Sequence, residues 1–557
     1  MGYGYAVIMR LRSFAGFFCS SFTISVMALA ACGSEDQKKK SDSKYDAGGE
    51  SGMGASGGDG SAPRAGNGGE SGDGSGQGGA APAAGSSSAA GGAGGVTGEG
   101  GAGGDGTVVP FNGLYIAPEG SDTADGTLDA PFKTLAHAAS VAIAGDTIVF
   151  LPGDYTLTPP AVAIPAGVNL MAQSSGESFL SGTGALLTLQ GDTRITGLDI
   201  ENFSTPVTFA GAAAASGTVT IEDTRFESCS QSCLTLPGAS KAVVTGDGVA
   251  LLANGGGAFA ILSETSSLSI TGGLLQNFQS GGIIRADDQS TVLLTDILVD
   301  GGTGPVLTLR GDSKGVVDGA IVTTLSPSLL QQFDASKLTV TNSDLSTRGG
   351  TPGNCIVTAA TSKLIVEASK LHDCGTGIKS GPPLELTVTG TEFYNLDFGT
   401  EMNPGGGPVA ESTILVEGCN LHDISYSALR FGGTNTKLNL KVRDTVVDVA
   451  TMANWGAVIL SGTNASQVDL GTLTEPGGNT FLQRNTTAQH TALQISLTAV
   501  TVYAVGNTWT PLQQNADEDG HYAVVTGKFL DVTAAVNNGR NYTKPQPTTT
   551  LRLAQIQ

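Results

Sequence analysis

The sequence predicts an all-β fold, a single-chain parallel β-helix (solenoid) with an N-terminal helical cap, and a repeat is the first evidence. A short apolar strand restarts every 22 to 28 residues, with a mean near 24, and such a period is typical of solenoids. Each repeat is rich in Val, Ile, Leu and Thr without helical periodicity, so one repeat forms a coil of short strands. The eleven starting residues are Ile195, Val219, Val243, Leu268, Val292, Val316, Leu338, Leu364, Leu386, Ile414 and Leu438.

Two further positions recur inside the repeats. The seventh residue after seven of the starts is apolar, which predicts an internal column along the solenoid. The residue two places earlier is usually small, as suits an inner corner where backbones approach closely. The apolar column is Phe226, Leu275, Val299, Leu345, Leu371, Phe393 and Leu421. The corner column is Thr224, Gly273, Ile297, Ser343, Ser369, Thr391 and Cys419, so Cys419 is predicted to be a small core residue.

The composition indicates an acidic, extracytoplasmic protein. Its 557 residues include 50 Asp and Glu against 28 Lys and Arg, a net charge of −22. We expect no nucleic-acid partner, because phosphate binding needs a basic face. Polyanionic sugars are disfavoured for the same reason, unless calcium bridges the charges. We therefore expect no cofactor, with calcium left open, and a monomeric protein.

Residues 1–32 have the features of an export signal. Two arginines precede an apolar run from Phe14 to Ala31, which stops at LAAC, ending in Cys32. This resembles a bacterial lipoprotein signal peptide with its lipobox, which implies that Cys32 carries lipid after cleavage. The resemblance implies a lipid-anchored protein of the bacterial cell envelope, and we expect it at the surface of the outer membrane. An ordinary secretory signal with a chance cysteine is the alternative.

Residues 33–113 are predicted to form a disordered tether. Up to residue 106 the segment consists largely of Gly, Ala and Ser, with Tyr45 as its one aromatic residue and no Leu, Ile, Phe or Trp. Such a segment cannot bury a core. As a flexible coil it has an r.m.s. reach of roughly 40–50 Å. That reach is enough to hold a domain away from a membrane surface.

From Leu114 onwards the chain resembles a known family. Residues 115–156 combine an aromatic strand, GSD, a Gly-rich turn, PFKT, an amphipathic helix, GDT, a strand and PGDY. This order is similar to the opening of pectate-lyase-like right-handed β-helix proteins whose domain is of unknown function. VDLGTLTEPGGNTF (468–481) and AVGNTW (504–509) extend the resemblance, which implies a β-helix domain over 114–525 and a C-terminal strand or tail over 526–557. The resemblance implies a fold and no single activity, because that superfamily mixes lyases, hydrolases, epimerases and adhesins.

A helix inside this opening is predicted to cap the first coil. Leu135, Ala138, Ala139 and Ala142 share one helical face. A solenoid end needs such a cap, because its strands would otherwise expose unpaired edges. Gly145 is predicted to end the helix.

Five cysteines follow Cys32, so at least one thiol is free. We expect disulfides between Cys229 and Cys233 and between Cys355 and Cys374, with Cys419 free inside the solenoid. Metal binding by Cys229 and Cys233 is the rival interpretation. It lacks a second pair or a histidine nearby in sequence.

Three predicted neighbouring coils carry the most suggestive polar residues. His372, Tyr394 and His422 follow the inner column, and Asp373, Asn395 and Asp423 come next. If the register holds, the two sets form outward ladders. A sugar ring could then stack on the tyrosine while the carboxylates accept its hydroxyl protons. The alternative is that Asp and Asn simply form turns at a coil corner.

A second candidate set precedes the turn to the next coil. It consists of Arg285, Asp287 and Asp288 in RADDQS and of Arg310 and Asp312 in RGDS, with Lys379 and Arg430 at a similar offset. A basic residue could serve a β-eliminating lyase, and paired carboxylates could bind calcium or act on a glycosidic bond. Surface ion pairs explain the same residues more simply.

Two classes of function remain open from the sequence. The first is a non-catalytic, membrane-anchored surface lipoprotein whose β-helix binds a glycan or another envelope component. The second is a tethered polysaccharide lyase, epimerase or hydrolase. The absence of a recognisable catalytic motif favours the first.

Overall fold

The computed structural model describes residues 113–211, 215–246, 250–252, 257–276, 282–348, 353–359, 361–382, 384–402, 410–433, 436–449, 457–462, 466–472, 474–483, 493–497, 500–503, 506–509, 528–533 and 550–555. All of them belong to the unit formed by residues 103–557. The predicted signal peptide with Cys32, and the tether up to residue 112, lie outside the described residues.

Parallel strands stacked coil upon coil confirm the predicted β-helix. Each coil passes through three strands, and equivalent strands of successive coils pair in parallel. We call the three stacks file A, file B and file C, in the order in which each coil visits them.

The strands of the three files have the following bounds. File A contains β1 (Gly113–Ile116), β2 (Thr147–Phe150), β5 (Asn169–Ala172), β8 (Thr193–Thr196), β11 (Ser216–Glu222), β14 (Ala239–Thr245), β17 (Ser267–Thr271), β20 (Thr291–Thr295), β23 (Lys314–Asp318), β26 (Lys337–Thr341), β29 (Ser362–Glu367), β32 (Leu384–Thr389), β34 (Ala410–Glu417), β36 (Thr436–Arg443), β39 (Ser466–Asp469) and β42 (Val500–Tyr503). File B contains β3 (Gly153–Leu157), β6 (Ser178–Gly182), β9 (Asp199–Glu201), β12 (Arg225–Glu227), β15 (Ala250–Leu252), β18 (Leu274–Gln276), β21 (Leu298–Asp300), β24 (Ile321–Thr324), β27 (Asp344–Thr347), β30 (Lys370–His372), β37 (Val446–Val449), β40 (Thr480–Gln483) and β43 (Thr508–Trp509). File C contains β4 (Val162–Ile164), β7 (Ala185–Leu189), β10 (Thr205–Phe209), β13 (Ser232–Leu236), β16 (Ala258–Leu262), β19 (Ile284–Ala286), β22 (Leu307–Leu309), β25 (Ser328–Gln332), β28 (Asn354–Thr358), β31 (Thr376–Ser380), β38 (Val458–Gly462) and β41 (Leu493–Leu497).

Two long strands, β33 (Glu392–Met402) and β35 (Asn420–Gly433), run through files B and C without a break. Beyond the coils, β44 (Lys528–Thr533) and β45 (Thr550–Gln555) pair antiparallel with each other, and β44 also pairs antiparallel with β42. These two strands are the described part of the predicted C-terminal segment. Within the described residues, no helix has the length and apolar character to cross a membrane.

The predicted internal column is confirmed in file B. Its seven members occupy equivalent positions on strands of file B, and each is at most 1% exposed. The backbone register aligns four further residues with them that the sequence spacing missed. From β12 to β40 the residues at this backbone position are Phe226, Leu251, Leu275, Val299, Val322, Leu345, Leu371, Phe393, Leu421, Val447 and Phe481.

Four of the eleven predicted repeat starts are out of register. The residues equivalent to Val219 in file A are Thr193, Ala242, Gly315 and Leu440, where the sequence pattern predicted Ile195, Val243, Val316 and Leu438. Gly315 shows one reason for the error. A Cβ there would lie 2.9 Å from the Leu309 side chain, so neighbouring leucines fill the space inside this coil, and the adjacent valine is not its core residue.

The corner between files A and B satisfies its backbone donors with side chains from the next coil. The N–H of Cys419 donates to Thr445 Oγ1 at 3.4 Å, and the N–H of Thr445 donates to Asn479 Oδ1 at 3.0 Å. Asn479 N–H donates in turn to Asn507 Oδ1 at 3.2 Å. Cys419 is buried here as predicted, and its burial raises the pKa of the thiol to about 11.

The predicted cap is a short helix, α1 (Leu135–Val141), which packs against β1, β2 and β4. Thr134 caps its N-terminus by accepting the N–H of His137, and Asp122 accepts the hydroxyl of Thr134 at 2.8 Å. The helix ends earlier than the sequence predicted. Ala142 already has an extended backbone with ψ 141°, so Gly145 lies in the following turn.

Candidate functional site

File B places three aromatic rings one above the other on the outside of the solenoid. Leu371, Phe393 and Leu421 point inward, and because side chains alternate along a strand, the next residue of each strand points outward. Those outward residues occupy equivalent positions on neighbouring strands. The predicted ladder of His372, Tyr394 and His422 is therefore present in the structure, and we call it the ring ladder.

The rings of the ladder stack face to face. The ring centroids of His372 and Tyr394 are 4.4 Å apart with an interplanar angle of 7°, and those of Tyr394 and His422 are 5.4 Å apart at 6°. Both faces of Tyr394 are thus covered by imidazole rings. The expectation that a sugar stacks on this tyrosine is wrong, and the ladder presents ring edges.

Four carboxylates flank the two histidines. His372 contacts Asp344 Oδ1 through Nε2 and Asp373 Oδ2 through Nδ1, each at 2.6 Å. His422 contacts Glu392 Oε1 through Nε2 at 3.2 Å and Asp423 Oδ2 through Nδ1 at 2.8 Å. The four side chains remain 35% to 48% exposed. We call Asp344, Asp373, Glu392 and Asp423 the ladder carboxylates.

The ladder's charges shift three pKa values. Partial burial opposes the charge on His422, but its hydrogen bonds to Asp423 and Glu392 outweigh this and raise the pKa of the imidazole. The same hydrogen bond lowers the pKa of Glu392. Burial, together with the negative charge of three ladder carboxylates, raises the pKa of Tyr394. A protonated imidazole donates from both ring nitrogens, which matches the two carboxylates at His422.

The backbone explains the second predicted ladder. Asp373, Asn395 and Asp423 have φ values of +54°, +52° and +52°, a left-handed conformation that Asp and Asn tolerate better than most residues. Asn395 Nδ2 also donates to Asp373 Oδ1 at 3.3 Å. The turn interpretation therefore accounts for the residue types, while the carboxylates of Asp373 and Asp423 still reach the histidines.

A disulfide anchors the turn that follows His372. Cys374 is bonded to Cys355 of β28, with a Cα–Cα distance of 5.8 Å. Cys229 and Cys233 form the second disulfide. These are the two pairs that the sequence predicts, and Cys419 is the free thiol among the described residues. The Cys355–Cys374 link fixes the position of Asp373 relative to file C.

The second candidate set does not form one site. Arg285 lies in file C and pairs with Asp287 at 2.8 Å, as the ion-pair interpretation predicted. The residue equivalent to Arg285 in the next coil is Thr308, so Arg310 does not align with Arg285. Arg310 follows the end of β22, and its guanidinium lies 5.8 Å from the Phe333 ring centroid. Asp288 occupies a left-handed turn at φ +60° and accepts the N–H of Glu264. Asp312 is exposed.

File C instead contains a cluster that the sequence reasoning missed in part. Lys379, Glu401 and Arg430 occupy equivalent positions on β31, β33 and β35. Arg430 donates to Glu401 at 2.6 Å and lies 5.4 Å from the Phe398 ring centroid. Phe398 also stacks on Tyr426 at 5.4 Å. The sequence offset found the two basic residues, but not the buried acid between them.

Two ladder carboxylates were also missed. Asp344 and Glu392 stand two residues before the ladder position of their own coils, so they lie on the same outer face of file B. That alternation was available in the sequence, because the inner column fixed which residues face outward.

Two other features bear on ligands. An apolar groove of about 520 Å³ lies beside α1, lined by residues such as Leu135, Pro159, Val162 and Phe203, and no titratable side chain contributes to it. In the part of the chain that the structure describes, no group of three or more His, Cys, Asp or Glu side chains is arranged to hold a metal ion.

Comparison with known proteins finds a family match for part of the chain. Residues 118–297 match the family model described as protein of unknown function (DUF1565). The match covers 180 of the 557 residues. Over this part of the chain, the predicted resemblance to a β-helix family whose domain is of unknown function is confirmed. A curated relative, the uncharacterized protein YwoF of Bacillus subtilis (strain 168), is 50% identical over 42 residues, which are 8% of this chain and 9% of that protein.

Solved structures with similar folds include polysaccharide lyases. A mannuronic acid specific polysaccharide family 6 lyase from human gut microbiota is 11% identical, with 55% of this chain and 81% of that chain covered and a TM-score of 0.34. The PL6 family alginate lyase AlyGC is 9% identical, with 67% and 98% covered and a TM-score of 0.22. XylC in complex with xylose is 10% identical, with 70% and 71% covered and a TM-score of 0.22.

Proposed function

We propose that this protein is an envelope-anchored β-helix that binds a neutral glycan at the ring ladder. The observation that carries the proposal is the pairing of each ladder histidine with two half-exposed carboxylates, one from its own coil and one from the preceding coil. Rigid strands and stacked rings hold these oxygens in place, so a ligand would not have to order them on binding.

Sugar hydroxyls suit this surface. Carboxylate oxygens accept hydrogen bonds from hydroxyl groups, and hydrogen bonds to charged groups contribute about 1.5–3 kcal/mol each. An anionic sugar would face the negative charge of four carboxylates. His422 and Lys370, whose Nζ lies 3.5 Å from Glu392 Oε2, would offset part of that charge. The charges at the site therefore favour neutral sugars over uronates, unless calcium is present.

The proposal is tested with a variant that keeps the backbone and removes the charge. Asp373 and Asp423 occupy left-handed positions, which Asn also tolerates, so Asp373→Asn with Asp423→Asn should fold normally. Binding is measured on an array of neutral and uronic-acid oligosaccharides, with and without calcium. We expect the wild type to bind a neutral class and the double variant to bind it about tenfold or more weakly.

Two matched controls accompany the variant. Asp223 and Asp296 also occupy left-handed corners, at φ +46° and +53°, away from the ladder. Changing both to Asn should leave binding unchanged, as should Arg285→Ala in file C. A wild type that binds no neutral glycan, or control variants that lose as much affinity as the ladder variant, would reject this site.

An enzyme acting on polysaccharide is the second candidate, and one observation favours it. The aligned Lys379, Glu401 and Arg430 form a basic pair around a buried acid, on the file that follows the ladder in the same coils. A basic side chain is the kind of group that abstracts a proton in β-elimination. Release of unsaturated or shortened products from the same glycans, lost in Lys379→Ala, would establish catalysis. Binding without product release supports the first proposal.

Anchoring at the cell surface is part of the proposal and rests on the sequence. The LAAC motif ending at Cys32 supports lipid attachment, and the Gly-rich tether supports display of the β-helix away from the membrane.

A further inference from the structure

The ladder is flanked in its own file by exposed aliphatic side chains. The outward position two residues before the ladder position forms a second column along file B, with Leu298, Ile321, Asp344 and Lys370 on successive strands. Leu298 is 43% exposed and Ile321 is 54% exposed. Leu325, just past the end of β24, is 53% exposed. We call Leu298, Ile321 and Leu325 the aliphatic patch.

The patch directly adjoins the ladder. Ile321 pairs with Asp344 in the next coil, and Asp344 is the residue that contacts His372 Nε2. Neighbouring strands are about 4.8 Å apart, so one ligand can touch both. On the far side of the ladder the same column continues through Asn420 to Val446, which is 37% exposed. A polar centre thus lies between apolar ends.

This order of side chains differs from that of an ordinary exposed strand. Isolated apolar residues on a surface need no explanation, but adjacent ones in register commonly mark a contact site. The aliphatic pair Leu298 and Ile321 adjoins the ladder carboxylates, and it would repel neither a sugar nor a hydrocarbon chain. A hydrocarbon chain would add to the free energy of binding because its apolar surface leaves water. The sugar hydroxyls would add to it through hydrogen bonds.

We infer that the ligand of the ring ladder is an amphiphilic glycan, with an acyl or alkyl group attached to the sugar that lies on the aliphatic patch. This inference rests on the proposed function and names its ligand class. The hydroxyls face Asp344 and the other ladder carboxylates, while the apolar group runs over Ile321 and Leu298 towards the N-terminal coils.

The test compares glucosides that differ only in the apolar group. Binding of methyl and n-octyl β-D-glucoside to the full chain is measured by calorimetry below the micelle concentration, with 1,2-octanediol as the chain without a sugar. We expect the octyl glucoside to bind about tenfold or more tightly than the methyl glucoside. A tenfold ratio corresponds to about 1.4 kcal/mol, roughly the effect of two buried CH₂ groups. The diol should bind weakly.

Three variants locate the effect. Leu298→Thr and Ile321→Thr keep a residue that favours strands and should remove most of the octyl preference while retaining methyl glucoside binding. Leu293→Thr is the matched control, because Leu293 is 39% exposed on file A and far in the coil from the ladder column. It should leave the preference intact.

The outcomes separate this inference from the proposed function. Equal affinity for the two glucosides, or the same loss in Leu293→Thr as in Ile321→Thr, overturns the inference while the glycan site stands. A wild type that binds no glycan and no glucoside overturns both. Diol binding as tight as that of the octyl glucoside, or self-association that Ile321→Thr abolishes, shows that the patch serves another partner and also overturns the inference.

Discussion

Replacing two neighbouring residues of β33 should separate core packing from the outer ladder. Phe393 is fully buried between Leu371 and Leu421, and its ring packs so closely on Gly377 that a Cβ there would lie 2.8 Å from it. Phe393→Ala should therefore lower the free energy of unfolding by about 3–5 kcal/mol, since the backbone of adjacent coils limits collapse of the cavity. Tyr394→Ala should cost less, about 0.5–1.5 kcal/mol for each lost ring stack.

Local measurements suit this comparison. A solenoid's stability is close to a sum over repeats and their interfaces, so the loss should concentrate in the coils that contact Phe393. Amide hydrogen exchange should show faster opening of β30, β33 and β35 in Phe393→Ala, with β11 and β14 unchanged. Thermal unfolding followed by circular dichroism should rank the two variants in the same order. Equal destabilisation by the two substitutions, or faster exchange spread evenly over all coils, would show that the register assigned to β33 is wrong.

Three further predictions test other parts of the molecule. Because the folded pKa of His422 is raised, its contribution to stability should be complete below the unfolded value of about 6.5 and should fall as pH rises through the folded pKa; thermal unfolding should lose this step in His422→Gln but keep it in His137→Gln. Asn479→Ala should cost about 1–3 kcal/mol in denaturant unfolding, because it strands the buried N–H of Thr445 and carbonyl groups of adjacent coils. Cys32→Ala should release the protein from membranes and abolish incorporation of labelled palmitate, because the acyl chains supply about 0.8 kcal/mol per buried CH₂; unchanged fractionation would contradict the lipobox.

The sequence predicted the fold because the repeating unit constrains each coil in the same way. Seven starts with an apolar residue seven places later were enough to identify the inner column of file B, and the structure places all seven in one stack. Two of the four misplaced starts show a common cause. A pattern search selects the most apolar residue of a strand, whereas Ala242 and Gly315 are the small residues at the inward position of their strands. At Gly315 the side chains of leucines fill the space.

The candidate site could be located but not described from the sequence. Register alone predicts that His372, Tyr394 and His422 lie in line, because equivalent residues of successive coils are neighbours. It does not predict side-chain torsions, and these decide that the rings lie parallel and cover both faces of Tyr394. The stacking platform was therefore predicted in the correct place with the wrong geometry.

The electrostatics of the ladder argue for a ligand over a purely structural role. Stacked rings would stabilise three coils without any acid, and Leu298 and Ile321 show that outward positions of file B accept aliphatic residues. The chain nonetheless places four carboxylates around two histidines on a protein of net charge −22. Like charges on adjacent strands are destabilising, and the exposed ion pairs that offset them contribute little. A partner that donates hydrogen bonds to several of these carboxylate oxygens at once would explain the arrangement. The Asp373→Asn, Asp423→Asn variant decides between the two roles. It should be at least as stable as the wild type if the charges serve binding, and less stable if they serve the fold.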